Sequence, residues 1–580
     1  MAVENLITEH IDIWTSAVKT KSASGRGSSK KLELYGIKKL RELILELAVR
    51  GKLVPQDPND EPASLLLERI AQEKAQLVKE KKLKKPKKLP NISDEEKPFD
   101  LPNGWSWIRL NEYGEWGSGS TPKRSNSGYY DGGIPWFKSG ELKADYISES
   151  EETITELALS ETSVRYNNIG DVLVAMYGAT IGKTAILSVR ATTNQAVCAC
   201  TPFTGLSNTY LLTLLKAYKA RLIGMGAGGA QPNISREKII NTVIALPSTA
   251  EQHRIVAKVD ELMALCDQLE QQTEASIEAH QVLVTTLLDT LTNSADADEL
   301  MQNWARISEH FDTLFTTEKS IDQLKQTILQ LAVMGKLVQQ NPSDEPAYEL
   351  LRRIAEEKAQ LVKEKKIKKQ KALPPISEDE KPFELPNGWE WSKLQDLCFK
   401  ITDGEHSTPK RAETGHYLLS ARNVTNEGII LGDVDYVPDY EFARIRNRCD
   451  PNLGDILISC SGSVGRVALV DRDNAYSMVR SAAMIRPCNT NLIKEYLALM
   501  LRSPYLQFQM KNRSKQSAQA NLFLGAISNL VGVIPPLSEQ ERIVSKVSQL
   551  LVVCDQLKSH LNDSRVTQLH LTDTIVEQVV

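Results

Sequence analysis

Apolar residues along this chain follow two periods, and the same order of periods occurs twice. After Glu539 the apolar positions Ile543, Val547, Leu550, Cys554, Leu557 and Leu561 are spaced 4, 3, 4, 3 and 4, a heptad seam on one helical face. An earlier copy reads Ile255, Val259, Leu262, Cys266 and Leu269, and runs on less cleanly through Leu283 and Leu287. A helix from Ile255 to about Leu288 would be about 50 Å long at roughly 1.5 Å per residue. So narrow a seam needs a partner helix, and the repeat supplies a second rod, so the two are expected to pair antiparallel. Residues 63–82 and 347–366 carry Leu and Ile at helical spacing with Glu/Lys pairs, and lysine-rich, proline-bearing stretches such as 81–90 stop these helices. Residues 172–175 and 185–189, and in the second half 456–459 and 467–470, are β-rich runs on either side of glycine turns.

The repeat is explicit residue by residue. LELAVRGKLV from Leu45 recurs as LQLAVMGKLV from Leu329, and the register holds without a gap to Leu110 and Leu394, so that Gly51 maps to Gly335 and Trp105 to Trp389, both 284 apart. EQHRIVAKV from Glu251 returns as EQERIVSKV from Glu539, 288 apart. Between these frames, residues 105–246 and 389–534 agree only in outline. GDVLVAMYGATIGKTAIL from Gly170 aligns with GDILISCSGSVGRVALV from Gly454, and STPKR at 120–124 returns at 407–411. Pro-Asn-Gly-Trp at 102–105 and 386–389 is a turn signal that launches each variable domain. The resulting division is a helical segment 1–104, a first domain 105–246, a central helical spacer 247–388, a second domain 389–535, and a C-terminal helix 536–580 that pairs with the central one. The fold class is α+β: two α/β domains separated by long antiparallel coiled-coil-like helices, related by a pseudo-two-fold internal repeat. The two halves become equivalent only if the ends of the chain come together.

Composition narrows the chemistry. The 580 residues suggest about three to five structural units. At 41% hydrophobic and 25% charged the chain is neither disordered throughout nor a membrane protein, and a start of Met-Ala-Val-Glu lacks a secretory pattern, so a cytoplasmic protein with no membrane partner is expected. The eight cysteines include no C-x-x-C pair and the histidines form no ligand-spaced cluster, so no metal site is expected. Lys plus Arg is 70 against 74 for Asp plus Glu, which gives no global basic field. GATIGKT at 178–184 approaches a phosphate-binding loop, but that loop needs glycine where Tyr177 stands, and the second copy loses both the lysine and the hydroxyl. A strand, a glycine turn and a strand is the better reading. No dinucleotide fingerprint, adenine-methyltransferase tetrapeptide, deaminase signature or nucleophile elbow is present, so no catalytic residue is assigned.

These features together resemble the specificity subunit of type I restriction-modification enzymes. The resemblance is carried by two variable domains opening near Gly-Trp, GD-[VI]-L before a glycine turn, QPNIS at Gln231 and QANLF at Gln519, and IALPSTAEQHRIVAKV or IPPLSEQERIVSKV leading into a long helix. It implies a non-catalytic subunit in which each domain reads one half of a bipartite, asymmetric site on double-stranded DNA. It also implies two docked modification subunits carrying S-adenosylmethionine and adenine-N6 methylation, and two ATP- and magnesium-dependent restriction subunits, with no cofactor in this chain itself. Loop side chains suited to base edges are then the candidate readers, Arg or Lys for guanine and Asn or Gln for adenine. In the first domain they are Lys123, Arg124, Lys138, Tyr177, Lys183, Gln231 and Asn233. In the second they are Lys410, Arg411, Arg422, Asn423, Arg466, Gln519 and Asn521. The first domain holds 13 Lys and Arg against 12 Asp and Glu, and the second 17 against 15, so neither attracts phosphate strongly by itself. The rival readings are a duplicated scaffold for protein assembly that never touches DNA, and a nucleotide-dependent nuclease built on 178–184.

Overall fold

Both heptad seams form continuous helices, Thr249–Asn293 and Leu537–Val579, in a computed structural model that describes residues 3–21, 31–81, 89–226, 233–295, 297–488, 492–516 and 520–580. The chain folds as two compact units, 1–276 with 564–580, and 277–563. The boundary falls inside each long helix, so each unit takes the first half of one and the second half of the other.

In the first unit the seam residues Ile255, Val259, Leu262 and Cys266 are buried, with Leu269 half-buried. Their neighbour is the helix Tyr35–Val49, which buries nine of its 15 residues. Its Arg41 donates to Asp267 and Glu270, each at 2.7 Å. At its start Tyr35 Oη donates to Asp573 at 2.7 Å, so residues from the far end of the chain complete this helical layer. The second unit repeats the plan with the helix Glu318–Val333. Lys325 meets Asp555 at 2.5 Å and Lys558 meets Asp322 at 3.2 Å, the repeat of the Arg41–Asp267 pair with lysine for arginine. Gln323 donates to Thr285 Oγ1 at 2.9 Å, and Lys336 to the carbonyls of Thr292 and Ser294 at 3.0 and 2.8 Å. Residues 285–294 therefore run parallel to this helix, and 555–558 antiparallel to it. Ile543, Val547 and Cys554 are buried in the same core as Val284, Leu288 and Leu291, with Leu550 and Leu557 packed against it. The seam expected to pair with its twin rod is also met by a front-segment helix. A narrow heptad seam suffices because that helix brings a broad apolar face to cover it.

The N-terminal segment is not helical throughout. Val18–Lys21 and Lys31–Leu34 pair as antiparallel strands, Val18 opposite Leu34. The helices Ala63–Lys79 and Ala347–Lys363 stop three residues short of the spacing-based limit, with Lys81 and Lys365 both in left-handed backbone at φ +57°. The lysine runs that follow offer like charges in place of the Glu/Lys pairs that support the helices.

Each variable domain is closed at its base by two antiparallel strands, Ser106–Arg109 with Val243–Leu246 and Glu390–Lys393 with Val531–Ile534. The Trp that opens each base is pinned to the start of a long helix. Trp105 Nε1 donates to Glu251 at 2.8 Å and Trp389 Nε1 to Glu539 at 3.0 Å, while Gln56 and Gln340 donate to the second carboxylate oxygen at 2.6 and 2.7 Å. Burial pushes both carboxyl groups above their ordinary range. Above the base of the first domain stands a five-stranded sheet ordered Gly114–Ser118, Val197–Pro202, Val172–Ala175, Thr184–Leu187, Tyr146–Ile147. The second has four strands ordered Cys398–Asp403, Ala482–Pro487, Ile456–Ser459, Val467–Leu469. The glycine motif is a hairpin in both copies, with Val174 opposite Thr184 and Ile458 opposite Val467. No helix follows it to bind a phosphate at its N-terminus, as the strand–turn–strand reading expected.

Candidate nucleic-acid interface

At the end of each sheet away from the base, four loop segments are tied together by the same backbone hydrogen bonds. In the first domain Gly119 N–H donates to the Val197 carbonyl (3.0 Å), Ser120 to Thr193 (3.0 Å), Met176 to Ala196 (2.8 Å), Val197 to Asn194 (3.2 Å) and Ile234 to Met176 (2.9 Å). In the second, Gly404 donates to Ala482 (3.4 Å), Glu405 to Met478 (2.8 Å), Cys460 to Ser481 (2.8 Å), Ala482 to Val479 (3.2 Å) and Leu522 to Cys460 (2.9 Å). Each of the five bonds has its counterpart. A Cβ on Gly119 or on Gly404 would collide with the carbonyl of Thr193 or Met478, so both positions need glycine for this close approach. The GD motif supports the strand below: Asp171 and Asp455 are buried and accept from the backbone N–H of Asn168 and Asn452, at 2.8 and 2.9 Å.

This frame brings several sequence candidates together. Tyr177 forms an isolated antiparallel bridge with Asn233, and Ser461 forms the corresponding one with Asn521. Tyr177 is 39% exposed and Asn233 exposed. Lys183 and Arg466 occupy matching places just after the glycine turn, accepting at their carbonyls from Ala175 and Ser459. Arg466 Nη2 donates to the Ala421 carbonyl at 2.8 Å, while its Nε is buried without a partner. Lys123 and Lys410 are exposed, and Glu441 accepts the Lys410 backbone N–H at 2.9 Å. Arg444 first, then that N–H, holds the Glu441 carboxyl down at about 2. Gln231 and Gln519 lie outside the described residues.

Other candidates are committed internally. Arg124 pairs with Glu152 and lies over the rings of Tyr130 and Trp136 at 4.8 and 4.9 Å. Lys138 meets Glu151 and Glu152 at 3.1 and 2.9 Å, and these cations hold the Glu152 carboxyl below its usual range. Arg411 reaches Asp435 at 3.3 Å, and Arg422 reaches Asp435 at 3.0 Å and Asp433 at 3.6 Å. Asn423 is corrected outright as a base reader. It is 2% exposed, its Oδ1 caps Ser420 at 2.9 Å, and its Nδ2 donates to the carbonyls of Ile430 and Asp433 at 3.0 and 2.9 Å. An amide saturated in this way has nothing left to offer a base edge. The second lysine run is also remote from the loops. Lys371 is anchored through Gln395 (2.8 Å) beside Cys398, at the base end of the strand whose other end, Asp403, leads into the loops.

Among the described residues no group of three or more His, Cys, Asp or Glu is placed to hold a metal, and none of their helices is long and apolar enough to cross a membrane. All eight cysteines are buried and unpaired, with burial pushing the Cys198 thiol up to about 12.

The family described as Type I restriction modification DNA specificity domain matches twice, over residues 102–279 and 386–564. The chain belongs to the type I restriction-modification specificity subunits. The EcoAI specificity subunit of Escherichia coli is 42% identical over 100% of both chains, and the EcoEI specificity subunit of Escherichia coli is 42% identical over 100% of this chain and 99% of its own. The solved HsdS subunit of Thermoanaerobacter tengcongensis is 19% identical, covering 83% of this chain and 98% of that one with a TM-score of 0.40. The duplication that organises this specificity subunit is therefore a duplication of the matched domain together with its helix. Sequence reasoning passed over two features of the tip. Gln195 and Arg480, exposed in the turns that lead into the strands Val197–Pro202 and Ala482–Pro487, were not among the candidates. Nor was the groove of about 290 Å³ beside the second glycine turn, lined by Val464, Gln507, Phe508 and Lys511. The groove is made by residues far apart in sequence, whereas the turn residues could have been found by carrying the GD-[VI]-L alignment forward past the hairpin to the strands that begin at Val197 and Ala482.

Proposed function

We propose that this specificity subunit reads double-stranded DNA as two unlike half-sites, one per variable domain, and carries out no chemistry of its own. The observation that carries the reading is the twin tip: five matched backbone hydrogen bonds hold four loop segments in one arrangement, while some of the side chains displayed there, such as Tyr177 against Ser461 and Gln195 against Arg480, differ between copies. A constant backbone with variable side chains suits groove readout, where base edges are distinguished by donor and acceptor pattern. The helical layers serve as the frame on which two modification subunits dock, and two restriction subunits join through them. Exposed apolar residues on the long helices, Leu265, Val282, Leu283, Val552 and Val553, suit such docking. S-adenosylmethionine, ATP and magnesium belong to those partners, and the assembly works in the cytoplasm, where its DNA lies. The small net charge of each domain implies weak binding by the subunit alone with a shallow salt dependence, which steepens as partner subunits add phosphate contacts.

Domain exchange tests this. Replacing residues 105–246 by the counterpart from another type I system, in cells that carry the modification subunits, is expected to change one half of the methylated sequence and leave the other. Methylation at an unchanged sequence would instead favour a scaffold that does not read DNA.

A further inference from the structure

If the two domains read different half-sites on one backbone frame, the residues that discriminate bases should meet three conditions. They should be exposed at the tip, held by duplicated backbone contacts, and different in the two copies. The last condition sets aside most cations and amides considered above. Lys123 and Lys410, Arg124 and Arg411, and Asn233 and Asn521 are the same residue in both halves, and the two arginines are paired with carboxylates.

One position meets all three. The bonds Val197 to Asn194 and Met176 to Ala196 in the first domain, and Ala482 to Val479 and Cys460 to Ser481 in the second, bracket a single residue each, Gln195 and Arg480. Both are exposed while their neighbours Ala196, Val197 and Ala482 are buried, so the turn is rooted in the core and carries one outward side chain. Thr121 Oγ1 donates to Gln195 Oε1, which fixes the amide's orientation and leaves the second lone pair of Oε1 and both Nε2 hydrogens available. Arg480 is held at its backbone, its N–H donating to the Glu405 carbonyl at 3.0 Å. Its guanidinium has no hydrogen-bond or ion-pair partner among the described residues. A glutamine that presents an acceptor and a donor together matches the N6 and N7 edge of adenine, and a free guanidinium matches O6 and N7 of guanine.

We propose that Gln195 and Arg480 are equivalent specificity-determining residues, Gln195 reading an adenine in the half-site of the first domain and Arg480 a guanine in that of the second. This rests on the DNA-reading function proposed above.

The test uses the full chain co-expressed with its modification subunits, with methylated adenines mapped by single-molecule sequencing. Arg480→Gln is expected to lower methylation of the parental sequence about 5- to 150-fold and to change preference at one guanine of one half-site, with the other half unchanged. Gln195→Arg is expected to do the same at one adenine of the opposite half-site. Arg480→Lys, which keeps the charge, is expected to retain guanine preference with a smaller loss. Parental preference in both Arg480→Gln and Gln195→Arg overturns the proposal. So does a loss that is equal on all sequences, which would mark a phosphate contact or a folding defect. Exchange of the whole domain 389–535 in the same assay separates the two levels: if exchange alters a half-site while the point variants do not, only this proposal fails, and if exchange alters nothing, the DNA-reading function fails with it.

Discussion

The buried carboxylates Glu251 and Glu539 show how single residues hold each half together, since each accepts from one tryptophan and one glutamine of separate segments. Trp105→Phe or Trp389→Phe keeps the apolar body and removes the donor. It is expected to cost about 1.5–3 kcal/mol, as for other hydrogen bonds to charged groups, read as a lower denaturation midpoint. Because burial raises the folded-state pKa of both carboxyls above the unfolded value near 4.5, their stabilising contribution is fully present below that unfolded value. It is lost as pH rises through the raised one. The stability difference between the parent chain and the Glu251→Gln, Glu539→Gln variant should therefore shift in the parent's favour as pH falls from 7 toward 4.5, and a difference that is flat with pH would contradict this assignment. The sequence made the tryptophan anchors legible, because a turn signal precedes an aromatic at the same offset in both halves. It could not show that Asn423 is a brace, since an asparagine in a loop looks the same whether its amide faces solvent or closes a turn with Ser420 and Ile430.

Among secondary elements, the long helices and the glycine hairpins follow directly from periodicity. The heptad spacing picks out the buried positions from Ile255 to Cys266 and from Ile543 to Cys554 but slips past 280, where Leu283 is exposed and Val284, Leu288 and Leu291 are buried instead, and β-rich runs flanking a glycine turn admit little else. The partner of each seam was less legible. The helix Tyr35–Val49 reads as one more amphipathic stretch, and its place beside Cys266 depends on long-range packing and on pairs such as Arg41 with Asp267. Ile255→Ala and Ile543→Ala are each expected to lose about 2–5 kcal/mol, the range for large-to-small changes in a core, and to broaden thermal unfolding of the unit concerned. Gly404→Ala tests the tip. It should disturb the 403–405 turn and abolish methylation dependent on the second domain, while Gly432→Ala, where an added methyl meets open space, should leave it intact.

For the whole molecule, the arrangement of units corrects the simplest picture of the spacer. Residues 247–388 looked like one central region, but 277–563 fold together, so the only chain that passes between units runs through the long helices at 276–277 and 563–564. On the proposed reading, inserting seven residues, about two helical turns, into both helices at those points should alter the number of unread base pairs while leaving both half-sites intact. Altered half-sites with an unaltered gap would argue against it.

That crossing also decides where genetic damage would be felt. Residues 564–580 belong with the first unit, where Asp573 receives Tyr35. A stop codon just after 563 would leave the domain encoded next to the lesion complete and strip support from the one encoded at the opposite end of the gene. Mutational maps of such a protein should therefore show late truncations impairing the half-site assigned to the early domain.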